Sequence, residues 1–179
     1  MTTASKVTVA RILLIPLFMA AALLDFPHSA LIALLLFLLA GATDWVDGYI
    51  ARKYDQISDF GKFMDPLADK LLVTSALLIF VEWGRLPAWV LMVILTREFA
   101  VSGLRMMAAV KGEVIAAGIS GKLKTVVTFL GIGLMLTPLH DRLIAGFVSV
   151  DFLVIAAILA TTVYSGIEYF AGNYKVLWT

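Results

Sequence analysis

The chain has 179 residues, of which 61% are hydrophobic and 15% charged, with a mean hydropathy of +0.98 and a net charge of +1. A soluble domain carries about 25% charged residues, so the composition predicts an all-α integral membrane protein, and no basic run of the kind that binds nucleic acid is present. Cysteine is absent and the histidines are two, His28 and His140, which excludes disulfides, thiolate metal centres and a histidine-rich site.

In chain order, the apolar runs predict six transmembrane helices over residues 7–25, 30–52, 59–82, 87–110, 120–138 and 145–171, in a single membrane domain covering 1–179. Each is near the roughly 20 residues that cross about 30 Å of hydrocarbon. Pro27 with Ser29, Gly84 with Pro87, and Pro138 with Asp141 mark breaks between them. The first run is read as a retained helix rather than a cleaved leader, because Leu23 and Leu24 continue it past the small residues. Lys6, Arg11, Arg52, Lys53, Lys62, Arg105, Lys111, Lys122, Lys124 and Lys175 fall on one side, with only Arg85 and Arg142 opposite. The positive-inside rule then places both termini in the cytoplasm of a multi-pass protein of the cell membrane.

The stretch from Asp44 to Lys70 holds six of the thirteen acidic residues. Asp44 and Asp47 are three apart, and Asp65 and Asp69 four apart, so each pair shares a helix face. At about 1.5 Å per residue, Asp44 lies about 20 Å along its helix, and Asp65 and Asp69 about 9 and 15 Å into the next. Both pairs therefore reach overlapping depth in the cytoplasmic half of the bilayer. A carboxylate there costs about 2.5–3.5 kcal/mol on the milder insertion scale, and bound cations would offset that cost. Carboxylates without sulfur or imidazole suit Mg²⁺ or Mn²⁺, and two such ions per site are the usual device for displacement at phosphorus. Gly48 and Gly61 lie one turn from Asp44 and Asp65, clearing the same faces for a ligand, and Arg52 extends that face toward a phosphate. The bland alternative is ion pairing of these acids with Arg52, Lys53, Lys62 and Lys70.

Arg97, Arg105, Lys122 and Lys124 are candidates for a second, cationic half of the site that takes an acceptor's phosphate. A structural reading of Arg97 is an ion pair with Glu98. Gly103, Gly131, Gly133 and Gly166 are expected to permit close helix packing. A transporter built on the intramembrane acids would need polar residues continuing outward. Leu31 to Leu39 has none, and the run after Leu71 only Thr74 and Ser75.

The pattern Asp44-x-x-Asp47-Gly48-x-x-Ala51-Arg52, then eight residues, Gly61-x-x-x-Asp65-x-x-x-Asp69, resembles the signature of the CDP-alcohol phosphotransferases. That resemblance implies a fold of six membrane helices, usually a homodimer, that joins a CDP-linked lipid or alcohol to an acceptor alcohol with release of CMP. It further implies that Asp44, Asp47, Asp65 and Asp69 ligate metal, that Asp69 is also the general base, and that Gly48, Arg52, Ser58 and Gly61 hold the CDP moiety. Thr8-x-x-Arg11, Pro66-Leu-Ala-Asp-Lys70, Arg97 to Arg105, Gly121 to Thr125 and Ser165 to Phe170 extend the resemblance over nearly the whole chain. They are similar to the bacterial members that take CDP-diacylglycerol as donor and glycerol 3-phosphate as acceptor, in which the segment around Thr8 helps hold the donor. Ser5 stands where those members often have Asn. Inositol phosphate, serine or phosphatidylglycerol is the alternative acceptor within the same fold.

Overall fold

A computed structural model describes residues 3–24, 26–53, 59–112, 115–116, 118–139, 142–144 and 148–174, with side chains from residue 7 onward except 44–53, 59–63 and 144. Six helices are present: α1 (Thr3–Leu23), α2 (Ser29–Lys53), α3 (Asp59–Glu82), α4 (Ala88–Val110), α5 (Ile119–Met135) and α6 (Val150–Asn173). The bounds of α3 are those expected from sequence. The sixth helix begins five residues later than expected, because Leu143–Ile144 (β1) and Val148–Ser149 (β2) pair antiparallel first. Ser149 then caps α6 by accepting the Phe152 N–H at 3.2 Å.

The contacts group into two compact units. One is residues 1–82 with 132–138, and the other residues 83–131 with 139–179. In the first, α1 packs on both α2 and α3, and α2 on α3. Thr8, Arg11, Ile15 and Phe18 are buried on α1 at alternating spacings of three and four, which makes one stripe of a helix. Ala33, Phe37 and Ala40 do the same on α2, and Ala68, Leu72, Ala76 and Phe80, each four apart, make the buried row of α3. The alanines admit close backbones, and the Phe18 and Phe37 rings fill the space between with centroids 5.8 Å apart. The connection from α1 to α2 turns at His28, whose φ of 66° lies in the left-handed region that favours glycine. Gly84 and Gly112, at φ 69° and 77°, take the corresponding positions after α3 and α4.

In the second unit α4 packs on α6. Val101, Leu104 and Ala108 meet Tyr169, with Ile115 and Phe170 packed against them. A Cβ on Gly131 would lie 2.8 Å from Val154 Cγ1, and one on Gly166 would lie 3.1 Å from Arg97 Cγ, so both glycines serve close approach. Gly103 and Gly133 do not: among the described residues nothing lies within 4 Å of a Cβ built there, which corrects the expectation for those two.

Arg85, between α3 and α4, grips Asp151 in the first turn of α6 through Nε–Oδ2 at 2.7 Å and Nη2–Oδ1 at 2.8 Å. Both side chains are about 85% buried, and the carboxylate also faces the positive end of the helix dipole. Asp151→Asn is expected to cost about 3 kcal/mol by removing the charged carboxylate that Arg85 grips, read as a lower unfolding midpoint in detergent. A loss below about 0.5 kcal/mol would mark the pair as no stronger than a solvated one.

The distribution of polarity differs from that of a soluble protein. Leu13, Leu35, Met92, Phe99, Leu130 and Ile167 are exposed, while Thr8, Arg11, Lys124, Thr128, Thr162 and Ser165 are buried. An apolar exterior around an interior that also holds polar groups suits lipid surroundings. Among the described residues α6 is the helix long and apolar enough to cross a membrane by length and composition alone. Charges interrupt α3 and α4, and α5 has 17 residues.

Candidate functional site

The acidic helices are positioned by α1. Thr8, fully buried, donates its hydroxyl to Asp65 Oδ1 at 2.5 Å. One turn further along the same stripe, Arg11 is also fully buried and donates from Nε to Thr43 Oγ1 at 3.1 Å. The Thr43 hydroxyl in turn donates to the Ala40 carbonyl at 2.6 Å. So α1 anchors α3 at Asp65 and α2 at the residue that precedes Asp44. Thr8, expected to help hold the donor, directs its hydroxyl to one of the signature acids. Arg11 and Thr43 did not figure as site residues in the sequence reading. The three-and-four spacing of Thr8, Arg11, Ile15 and Phe18 was the available signal, since it puts an arginine on a buried face.

Asp65 and Asp69 lie one turn apart on α3, both half-buried. Pro66, between them, removes the N–H that would otherwise bond the carbonyl of Lys62. Asp44, Asp47, Gly48 and Arg52 are on the C-terminal turns of α2, and Gly61 is in the first turn of α3, but their side chains lie outside those described. Ser58 lies outside the described residues altogether. Among the described residues no three His, Cys, Asp or Glu side chains gather. The chemistry of the donor set nonetheless fits a hard dication. A carboxylate has about four acceptor positions, so the Thr8 bond orients Asp65 without exhausting its capacity to ligate.

Thr8→Val, which deletes the hydroxyl at near-constant shape, is expected to cost about 1.5–3 kcal/mol, the value of a hydrogen bond to a charged group. Thr8→Ser should restore most of it. Unfolding midpoints of the three proteins decide the matter, and an unchanged midpoint in the valine variant would show that the bond contributes nothing.

The cationic candidates divide. Lys124, at 4% exposure, points inward from α5 and donates to Glu98 Oε1 at 2.7 Å. Arg97 Nη1 donates to the same oxygen at 3.1 Å, which is the structural pairing considered for it. Lys122 is exposed. Arg105 is exposed too, with Nε donating to Tyr169 Oη at 3.0 Å and the guanidinium 5.4 Å from that ring's centroid. Beside Tyr169 a cavity of about 690 Å³ is lined by Ile115, Ser120, Glu168 and Asn173, a volume within the range of small-molecule sites. Arg97 lines a separate groove of about 370 Å³ with Thr96, Thr162, Gly166 and Phe170.

The CDP-alcohol phosphatidyltransferase family model matches residues 1–164. The CDP-diacylglycerol–glycerol-3-phosphate 3-phosphatidyltransferase of Bacillus subtilis is 46% identical over 98% of this chain and 96% of its own. Its namesake in Haemophilus influenzae is 39% identical over 90% of this chain and 88% of its own. A third, from Yersinia enterocolitica, is 36% identical over 95% and 93%.

Proposed function

Because the chain belongs to the CDP-alcohol phosphatidyltransferase family, we propose that it transfers the phosphatidyl group from CDP-diacylglycerol to sn-glycerol 3-phosphate. The products are phosphatidylglycerophosphate and CMP, an early step in phospholipid synthesis. The observation that carries this reading is the near full-length match to relatives named for that reaction. The signature acids and the second-unit cations supply residues of the right chemistry for it.

Asp44, Asp47, Asp65 and Asp69 would hold two Mg²⁺ or Mn²⁺ ions, which when bound supply charge neutralisation at the pyrophosphate. Thr8, Gly48, Arg52, Ser58 and Gly61 are assigned to the CDP moiety. Thr8 acts by orienting Asp65. Asp69 accepts the proton of the glycerol 3-phosphate hydroxyl, whose oxygen forms a bond to the phosphorus that carries diacylglycerol. The bond from that phosphorus to the CMP oxygen breaks, and CMP leaves with the electron pair. Arg97, Arg105, Lys122 and Lys124 are assigned to the acceptor's own phosphate. The setting is a homodimer of six-span protomers in the cell membrane, with both termini and the acids on the cytoplasmic side.

Purified protein assayed with CDP-diacylglycerol and, in turn, glycerol 3-phosphate, inositol phosphate, serine and phosphatidylglycerol tests the reading through CMP release. Glycerol 3-phosphate should be preferred. Preference for an uncharged acceptor would overturn both the assignment and the role of the cations.

A further inference from the structure

We infer that Glu98 is a positioning residue for the acceptor's phosphate, fixing Lys124 and Arg97 through one shared carboxylate oxygen; this rests on the functional reading above. On α4 the buried positions Val90, Ile94, Val101, Leu104 and Ala108 are apolar, and Arg97 and Glu98 occupy the gap in that stripe. On α5 the buried face reads Lys124, Thr128, Ile132 and Met135. Three charged groups thus stand where the helical period calls for apolar side chains. An ion pair kept only for stability is commonly matched or exceeded by apolar residues of similar volume, so the charges ask for another reason.

The geometry supplies one. Glu98 Oε1 takes Lys124 Nζ at 2.7 Å and Arg97 Nη1 at 3.1 Å, so two cations share one carboxylate oxygen. Among the described residues Arg97 reaches that oxygen through a single nitrogen, and its buried Nε meets no hydrogen-bond partner. Gly166 gives the Arg97 stem its room, and Gly121 lies beside the guanidinium. A Cβ on Gly121 would stand 3.7 Å from Nη2, and one on Gly166 would stand 3.1 Å from Cγ. Lys124, with a side chain 6% exposed, is held in place by the Glu98 carboxylate. Glu98 therefore acts through the two cations, setting where a phosphate finds them.

The test uses the full chain in detergent or lipid discs, with CMP release followed against glycerol 3-phosphate at saturating CDP-diacylglycerol. Wild-type turnover comes first. Its absence would overturn the functional reading and this inference with it, whereas the variants bear on Glu98 alone. Glu98→Gln is expected to raise the KM for glycerol 3-phosphate at least about tenfold while that for CDP-diacylglycerol stays within about twofold. Glu98→Asp, which keeps the charge, should recover part of the loss. The double variant Glu98→Gln with Lys124→Met removes two of the three charges and leaves Arg97, so it should regain part of the thermal midpoint lost in Glu98→Gln but not the acceptor KM. An unchanged acceptor KM in Glu98→Gln, or recovery of midpoint and KM together in the double variant, would make Glu98 a structural counter-ion and overturn the inference. If Glu98→Gln fails to fold, Glu98→Asp carries the test: a raised acceptor KM is expected, and an unchanged one would overturn the inference.

Discussion

Asp69→Asn is expected to lower kcat by about 10³-fold while CDP-diacylglycerol still binds, since a positioned general base contributes about 10²–10⁴. The substitution keeps the size and one acceptor oxygen of the side chain while removing its ability to take a proton at neutral pH. Asp69 stands one turn beyond Asp65 on α3, half-buried, on a helix that α1 holds through Thr8. The helix itself is anchored elsewhere, by the Ala68, Leu72, Ala76 and Phe80 stripe, so the variant should fold. Single-turnover CMP release at saturating metal measures the chemical step, and titration with labelled CDP-diacylglycerol measures binding. Turnover within a few-fold of the unaltered protein would remove Asp69 from the role of base.

Chelation is expected to abolish turnover, by about 10²-fold or more, and Mg²⁺ or Mn²⁺ to restore it. Loss of several kcal/mol of charge stabilisation at a transferring phosphorus is a loss of that order. The donor set is all carboxylate, in a chain with no cysteine and two histidines, so Zn²⁺ should restore little. A readout independent of turnover is the paramagnetic signal of Mn²⁺ on the purified protein. Two bound ions per chain are expected, falling in Asp44→Asn and Asp47→Asn without loss of the helical circular dichroism. Full activity in the presence of excess chelator would end the metal assignment and return the four acids to ion pairing.

These two expectations draw on one helix pair, and the rest of the unit explains how that pair is held. The first turns of α1 present a threonine and an arginine inward, where a soluble helix would show them to water. In lipid such groups need partners within the protein, and Asp65 and Thr43 are those found. The cost of burying polar groups and the need to fix an acid are thus met by the same bonds. The second unit solves the same problem differently, with Glu98 between two cations and Arg85 clasping Asp151.

The number of helices, the bounds of α3 and the signature from Asp44 to Asp69 were legible from the chain alone, because run length, proline and glycine breaks and short-range spacing are local quantities. Family membership followed from the same stretch. Which lysine of the Lys122 and Lys124 pair turns inward was not legible. Both sit in the first turns of α5, and the phase of that helix is set by what it packs on, so only the fold makes Lys124 buried and Lys122 exposed. The late start of α6 was missed because two residues per strand leave no periodicity to read. Thr8 with Asp65, and Glu98 with Lys124, are 57 and 26 residues apart. Nothing in local spacing joins them. Tertiary packing decided those pairings, since each buried polar group takes the partner that the helix register brings within reach.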